Sequence, residues 1–410
     1  MSETTHQKLH PLLVRAVVQA LQSIFIGERN ADKVIETVLR SNPKAGSRDR
    51  AFIAESTYDI VRFYRLYTEI LGHQPKHEGD FWKIVGIHLL SDQNKGAELP
   101  LWKEFDQLQP KQIIQQGAKL RGIRKFRESI PDWMDERGAA ELGAVWDQTL
   151  PWLNKTAAVV IRANTLKISR VDLQKLLETE NIAADLVGSG DALKLQRRQN
   201  IFQSAAFKKG FFEVQDYSSQ LVAPLLAPEP GMRVVDACAG AGGKTLHLAA
   251  LMQNKGSLIA LDTFAWKLDE LRTRAKRAGV GNIETRPIEN RKVIKRLYDS
   301  ADRLLLDVPC SGMGILRRNP DSKWKLTPES IEQLRATQQE ILQAYSPILK
   351  PGGRMVYATC SILPSENQDQ VTAFLASPAG KDFQLMTEKR ILPQDEGFDG
   401  FYIALLEKAT

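Results

Sequence analysis

Two of the chain's three cysteines, Cys310 and Cys360, each follow an apolar segment with the pattern of a short strand. The surrounding sequences are Asp307-Val-Pro-Cys310-Ser-Gly and Tyr357-Ala-Thr-Cys360-Ser. The carboxyl ends of parallel strands face the ligand crevice of an open α/β sheet. We therefore predict that Cys310, Cys360 and Asp307 converge at one edge of a sheet.

Two thiols beside a carboxyl group suit one demanding reaction, the methylation of carbon 5 of a cytosine. Carbon 5 is a poor nucleophile, but addition of a thiolate to carbon 6 forms an enamine whose carbon 5 attacks a sulfonium methyl group. A carboxyl group at ring nitrogen N3, a role open to Asp307, offsets the charge that accumulates there. Most free cysteines are instead small buried hydrophobic residues. We favour that interpretation for Cys238 and the chemical one for Cys310 and Cys360.

A glycine-rich loop, Asp236-Ala-Cys-Ala-Gly-Ala-Gly-Gly-Lys244, joins a predicted strand at 233–236 to a predicted helix at 245–252. A phosphate-binding P-loop would need glycine at position 238, which is Cys. A dinucleotide fingerprint would need glycine at position 245, which is Thr. Both phosphate motifs therefore fail, and a different nucleotide ligand is expected.

The next predicted strand, 257–262, ends in Asp262, which is placed to accept hydrogen bonds from both hydroxyls of a ribose. A glycine loop followed by a carboxylate such as Asp262 suits a ligand in which adenosine carries an amino acid. The alternative is that Asp262 only ends its strand and caps the following helix.

Composition sets wider limits on the class of protein. The chain has 410 residues, 43% of them hydrophobic and 26% charged, which indicates a globular protein of two or three domains. The net charge of +7 favours a polyanionic partner such as nucleic acid. Three widely spaced cysteines argue against a disulfide framework and a zinc site. The cysteine spacing thus leads us to expect no metal. Because the chain has no long apolar run and residues 1–8 lack a signal-peptide pattern, we expect a cytoplasmic protein.

The chain divides into three regions by pattern. Residues 9–147 read as helical, with Ser47 as the N-cap of a long helix that runs through Phe63 and Leu66. Residues 151–215 read as a small α/β module, and residues 216–410 alternate apolar strands with helices, as in a doubly wound parallel sheet. The run 119–127 carries five positive charges and is either a phosphate-contacting patch or a solvated surface.

A set of motifs then places the chain beside a known family. They are Arg162-Ala-Asn-Thr-Leu-Lys167, Val214–Gln220, Asp236–Lys244, Leu306–Gly312, Arg317–Asp321 with Lys323 and Trp324, Leu349–Gly353, Thr359–Ser361 with Glu366 and Asn367, and Asp399–Tyr402. In these motifs the chain resembles the Sun (Fmu) branch of the Nop/Sun RNA cytosine-C5 methyltransferases, bacterial enzymes that modify 16S ribosomal RNA.

The resemblance implies roles for the candidate residues. Cys360 would be the nucleophile that forms an adduct with carbon 6, Cys310 would assist release of the product, and Asp307 would be the third catalytic residue. S-adenosyl-L-methionine would be the cofactor. Its expected binding residues are Cys238, Ala239, Gly240, Ala241, Gly242, Gly243, Lys244, Asp262, Glu289 and Asp307. The family loop commonly reads Ala-Pro-Gly-Gly-Lys, and its usual acid near the adenine is here replaced by Glu289 or Asn290.

The resemblance also implies an architecture and a partner. Residues 1–147 would form an all-α NusB-like RNA-binding domain, 151–215 a ferredoxin-like module and 216–410 a Rossmann-like class I methyltransferase domain. RNA would be the partner of a monomeric enzyme, and a single-stranded or loop cytosine the target, because a base leaves its stack there at lower cost. Two alternatives stay open: a catalytically silent RNA-binding factor of ribosome assembly, and a DNA methyltransferase.

Overall fold

The computed structural model describes residues 9–91 and 99–410. The beginning of the chain, on which the expectation of no signal peptide rests, lies outside these residues. The chain forms two compact units. The first comprises residues up to Ala140 together with Leu316–Leu326, and the second comprises Glu141–Ile315 and Thr327–Thr410. In the described part of the chain, every helix is too short or too polar to cross a membrane.

The secondary structure in the described residues of the N-terminal region is helical. Its helices are α1 (Pro11–Phe25), α2 (Ala31–Ser41), α3 (Ser47–Arg62), α4 (Tyr64–Leu71), α5 (Glu78–Ser91), α6 (Pro110–Arg121), α7 (Arg124–Arg127), α8 (Asp132–Leu142) and α9 (Ala144–Asn154). Apolar residues three or four positions apart, such as Val17, Leu21 and Ile24 on α1, face one core.

Helix α3 differs from its prediction at both ends. It begins at Ser47 itself, and Gly46 is the N-cap, whose N–H donates to the Asp49 carboxylate at 3.3 Å. It ends at Arg62, because Phe63 leaves the helical conformation with φ −109° and ψ 25° before α4 begins. The predicted continuous helix through Leu66 is therefore two helices.

The segment Leu316–Leu326 belongs to the helical unit although its neighbours in sequence belong to the other unit. Its short helix, α17 (Ser322–Lys325), buries Lys323, which is 2% exposed. The Lys323 ammonium donates to the carbonyls of Arg62, Glu128 and Ser129 at 3.1–3.2 Å. Burial lowers the pKa of Lys323 to about 7.

The basic run at 119–127 is largely paired within the protein. Arg124 forms an ion pair with Asp135, Lys125 with Asp132, and Arg127 with Glu128. Arg121 donates to the carbonyl of Ser91 at 3.0 Å. These pairs favour a structural surface over an open phosphate-binding patch.

The second unit begins at Glu141 and includes α9, which is followed by a four-stranded antiparallel sheet in the order β2-β3-β1-β4. Its elements are β1 (Val160–Ala163), α10 (Arg170–Thr179), β2 (Ala184–Val187), β3 (Ala192–Leu195), α11 (Ala205–Lys208) and β4 (Phe212–Val214). Strand β2 was not predicted, because only its first residue is buried and its apolar pattern is weak.

The remainder of the second unit is a seven-stranded sheet in the order β10-β11-β9-β8-β5-β6-β7. Its elements are α12 (Tyr217–Gln220), α13 (Val222–Leu226), β5 (Arg233–Asp236), α14 (Gly243–Leu251), β6 (Ser257–Asp262), α15 (Ala265–Ala278), β7 (Ile283–Pro287), α16 (Arg291–Lys295), β8 (Ala301–Asp307), α18 (Pro328–Tyr345), β9 (Leu349–Thr359), α19 (Gln368–Leu375), β10 (Phe383–Ile391), α20 (Pro393–Glu396) and β11 (Phe401–Lys408), with 3₁₀ turns at Met313–Ile315, Ser346–Ile348 and Pro364–Glu366.

Strands β5 to β9 pair in parallel, and β10 and β11 add an antiparallel edge. Successive residues of the central strands, for example Leu304 and Leu305, belong to two different buried clusters on opposite faces. A parallel sheet buried on both faces is the doubly wound architecture. The predicted fold class is thus confirmed, whereas β7 and the β10–β11 hairpin were not predicted.

Candidate functional site

The glycine-rich loop follows β5 and leads directly into α14. Gly242 has φ +88°, and a Cβ there would lie 2.0 Å from Leu271 Cδ1, so only glycine fits this turn. The N–H of Ala239 donates to Leu261 at 2.8 Å, and that of Gly240 donates to Asp262 Oδ2 at 2.9 Å. The loop is therefore fixed to the end of the neighbouring strand β6.

A cavity of about 480 Å³ opens at this edge of the sheet. Its walls combine loop backbone, acidic side chains and apolar surfaces, including Cys238, Gly240, Asp262, Phe264, Ile288, Asp307, Pro309, Ile341 and Tyr345. This volume lies in the usual range for cofactor pockets, roughly 300–1,000 Å³. Four of the residues expected to bind the cofactor, Cys238, Gly240, Asp262 and Asp307, line it.

The acid at the end of β6 is fixed by the backbone. Asp262 Oδ2 accepts from Gly240 and Oδ1 accepts from the N–H of Phe264 at 2.8 Å. Each carboxylate oxygen has further lone-pair capacity, so both can still accept a hydrogen bond from a ligand hydroxyl. The arrangement suits the two hydroxyls of a ribose.

The expected adenine contact near Glu289 stays a prediction. Glu289 is exposed, and the residues that line the cavity around it are Ile288 and Arg291. Asn290 is the N-cap of α16, where its side chain accepts from the N–H of Lys292 at 2.9 Å.

Asp307 pairs with Lys244, the last residue of the glycine-loop motif. The Lys244 ammonium lies 2.6 Å from Asp307 Oδ2, and it also lies 5.0 Å from the centre of the Phe401 ring. The cofactor loop and the end of β8 thus meet through one ion pair at the wall of the cavity. The sequence singled out both residues but did not predict their contact.

The two cysteines meet as their strand ends predict. Strands β8 and β9 are parallel neighbours with Asp307 opposite Ala358, and the Sγ atoms of Cys310 and Cys360 lie 3.3 Å apart. Both thiols are free and half-buried. The hydrogen bond to Cys360 raises the pKa of Cys310 well above its usual value, and burial raises it further. The two thiols thus share one contact, in which either sulfur can be the donor.

Cys238, the third cysteine, has a different environment. Burial raises the pKa of its thiol, and the nearby carboxylates of Asp236, Asp307 and Asp262 add to this. A thiol held protonated is a weak nucleophile, which agrees with the unreactive role predicted for Cys238.

Two buried groups near the loop were missed by sequence reasoning. Asp236 accepts a hydrogen bond from the Thr245 hydroxyl at 2.7 Å, and burial raises its pKa to about 7. Arg162 donates to the carbonyl of Gly243 at 2.9 Å, which ties the antiparallel module to the loop. Arg162 stood in a family motif, but its partner lies 81 residues away and no local pattern shows it.

A third buried group, Glu366, lies between the two cysteine loops and accepts hydrogen bonds from Ser311 and Ser361. It also stood in a motif without an assigned role. A doubly wound sheet, a glycine loop next to an acid that suits ribose hydroxyls, and paired thiols at adjacent strand ends are the features of a Rossmann-like methyltransferase.

Comparison with known proteins identifies the family. Residues 223–407 match the family 16S rRNA methyltransferase RsmB/F, and residues 130–202 match the ferredoxin-like domain of RsmF/B-like methyltransferases. The probable ribosomal RNA small subunit methyltransferase B of Synechocystis sp. is 33% identical over 441 residues, which cover 95% of this chain and 98% of that protein. The chain belongs to the RsmB/F methyltransferase family, as its motifs indicated.

Other proteins agree with this assignment. The ribosomal RNA small subunit methyltransferase B of Proteus mirabilis is 36% identical over 363 residues, which cover 85% of this chain and 81% of that protein. The crystal structure of PH0851 superposes with a TM-score of 0.83 at 26% identity and covers 98% of this chain and 100% of that one. The likeness therefore extends over the helical region as well as the catalytic sheet.

Proposed function

We propose that this protein uses S-adenosyl-L-methionine to methylate carbon 5 of a cytosine in 16S ribosomal RNA. Its family and its relatives' names support methylation of ribosomal RNA. The observation that carries the choice of carbon 5 is the pair of thiols, Cys310 and Cys360, which lie 3.3 Å apart just beyond the strand that ends in Asp307. Methylation at an oxygen or at an exocyclic nitrogen, which are already nucleophilic, needs no thiol.

The cavity supports the choice of cofactor. Asp262 would hold the ribose hydroxyls, the loop from Cys238 to Lys244 would hold the amino acid end, and the apolar walls of Ile288 and Ile341 would cover the adenine. When bound there, S-adenosyl-L-methionine supplies the electrophilic methyl group that carbon 5 takes up. Asp307 lines the cavity and is paired there with Lys244.

Cys360 would attack carbon 6 of the cytosine. The Cys360 sulfur lies 3.3 Å from the Cys310 sulfur, so both thiols would meet the same incoming ring. As the S–C6 bond forms, electrons move toward carbon 5 and N3, and Asp307 with Lys244 would hold the proton that offsets this charge. The half-burial of both thiols limits water around the adduct.

Release of the product would reverse the addition. A base takes up the proton on carbon 5, the electron pair of that C–H bond restores the C5–C6 double bond, and the S–C6 bond breaks with its electrons returning to Cys360. Cys310 is placed to assist this step, because its sulfur lies 3.3 Å from the Cys360 sulfur.

Substitution of each cysteine tests the proposal. Wild type, Cys360→Ser and Cys310→Ser would be incubated with labelled S-adenosyl-L-methionine and 16S ribosomal RNA, and both 5-methylcytosine and covalent protein–RNA adduct would be measured. We expect Cys360→Ser to form neither product nor adduct, and Cys310→Ser to accumulate the adduct. Thermal unfolding of all three proteins controls for loss of fold.

Each other outcome has a defined meaning. Reversed roles of the two variants would make Cys310 the nucleophile and contradict the assignment. Methylation of DNA in preference to RNA would contradict the substrate. Absence of any transfer by wild type, with RNA binding retained, would favour the catalytically silent assembly factor.

A further inference from the structure

The two cysteines share a local sequence feature, because each is followed by a serine. Ser311 and Ser361 are buried, at 5% and 0% exposed, while the thiols before them are half-buried. The serine hydroxyls lie 3.3 Å from each other, although the residues are 50 positions apart. The position of each thiol is therefore coupled to the position of the serine next to it.

One carboxylate holds both serines. Glu366 is 0% exposed, and its Oε2 accepts from the hydroxyls of Ser311 and Ser361 at 2.5 Å each. Its Oε1 accepts from the N–H of Ser311 at 2.8 Å and from the Gln338 amide at 3.1 Å. These four donors are neutral, so Glu366 fixes the loops through hydrogen bonds and not through an ion pair.

Glu366 is itself held in place. It ends the 3₁₀ turn Pro364–Glu366, and its carbonyl accepts from the Tyr357 hydroxyl at 2.7 Å. The Gln338 amide that reaches Glu366 also donates to the carbonyl of Pro309, the residue before Cys310, at 3.0 Å. Next to it, the Asn367 amide donates to the Ser361 carbonyl at 3.1 Å. Both cysteine loops are thus tied to one rigid point.

We propose that Glu366 is a positioning residue, which aligns the Cys310 and Cys360 thiols on adjacent ring atoms of one base by holding the serines that follow them. The inference rests on the proposed two-thiol methylation. That reaction requires one sulfur at carbon 6 and the other near carbon 5 of the same ring, so the separation of the sulfurs must be held closely. A misplacement of 1 Å in such a geometry can cost about 10²-fold in rate.

The negative charge of the Glu366 carboxylate also acts on the Cys310 thiol. Besides the contact with Cys360 and burial, the Glu366 carboxylate adds to the rise in the pKa of Cys310. The Glu366 carboxylate thus favours the protonated form of the Cys310 thiol.

The test compares Glu366→Gln with Glu141→Gln. Glu141 is a matched control, because its carboxylate also accepts from a serine N–H and hydroxyl, those of Ser365 at 3.0 and 2.9 Å, but it does not bond to the serines that follow the cysteines. Three quantities would be measured on the full-length proteins: kcat and KM for 16S ribosomal RNA, the rate at which diamide oxidises Cys310 and Cys360 to a disulfide, and the thermal midpoint. The cross-linked peptide would be followed by mass spectrometry.

For Glu366→Gln we expect kcat to fall by about 10–100-fold with little change in KM, and the cross-linking rate to fall by about 10-fold or more. Glu141→Gln should match wild type in kcat and in the cross-linking rate. A double variant, Ser311→Ala with Ser361→Ala, should reproduce the Glu366→Gln result, and it replaces that variant if Glu366→Gln does not fold.

Wild-type kcat and cross-linking in a folded Glu366→Gln protein would overturn the positioning role. The positioning role would also be overturned if the cross-linking rate were unchanged and kcat fell only as far as the lower thermal midpoint explains. Failure of wild type to methylate cytosine would instead refute the proposed function, and the cross-linking arm would still decide whether Glu366 aligns the thiols.

Discussion

At the scale of single residues, the site contains a carboxyl group whose proton affects stability. Asp236 is 1% exposed, and burial raises its pKa to about 7 from the usual 3.8. A carboxyl with a raised pKa in the folded state contributes stability that is present below its unfolded pKa and is lost as the pH rises through the folded pKa. Because of Asp236, the free energy of unfolding should therefore fall as the pH rises from 4 to 8.

The variant Asp236→Asn is expected to remove that pH dependence. A shift of three pKa units corresponds to on the order of 4 kcal/mol, so the free energy of unfolding of wild type should fall relative to the variant by a few kcal/mol across this range. Urea unfolding at pH 5, 6, 7 and 8 measures the difference. Parallel curves for the two proteins would show that Asp236 is ionised throughout.

At the scale of elements, the turn from β5 into α14 depends on one glycine. Gly242 has φ +88° and a Cβ there would meet Leu271, whereas Gly243 next to it has open space where a Cβ would be. Alanine at position 242 must adopt a strained conformation and displace a core leucine. Alanine at position 243 replaces a glycine that is already the first residue of the helix.

We expect Gly242→Ala to lower the free energy of unfolding by about 2–4 kcal/mol, from the strained φ and the overpacking together. Gly243→Ala should change it by less than about 1 kcal/mol, since alanine favours a helix. Chemical unfolding of the two variants compares neighbouring positions in one loop. Equal effects would mean that the turn relaxes around the new side chain.

At the scale of the whole molecule, neither compact unit is a continuous piece of chain. The second unit is interrupted after Ile315, and the chain returns to it at Thr327 after contributing Leu316–Leu326 to the helical unit. The predicted division at 1–147, 151–215 and 216–410 remains a proposal about function. Within the helical unit, the inserted segment is anchored by Lys323 and by Trp324, whose indole donates to the Val61 carbonyl at 2.7 Å.

Substitution of Lys323 should loosen the helical unit. Lys323→Met keeps most of the buried volume but loses three hydrogen bonds to carbonyls, which we expect to cost about 2 kcal/mol. Lys325→Met is the control, because Lys325 is 30% exposed and its pair with Asp321 should contribute less than about 1 kcal/mol. Hydrogen exchange of the amides of α3 and α4 would report the change. Equal protection in both variants would show that Lys323 does not anchor the segment.

The sequence by itself determined the features that depend on local patterns. The bounds of β5 and β6 agree with prediction, because each is a short apolar run that ends at a polar or turn-forming position. Cys310 and Cys360 at strand ends and Asp262 at the end of β6 were visible for the same reason. Parallel pairing of neighbouring strands then brings such ends together without further information.

Only the tertiary structure decided which distant groups bond to each other. Glu366 reaches Ser311 across 55 residues, Arg162 reaches Gly243 across 81, and Lys323 reaches Arg62 across 261. A periodic pattern describes one element and its buried face, but it contains no distance between elements. Buried polar groups need hydrogen-bond partners. Which donors and acceptors lie within reach is decided only when the whole fold has formed.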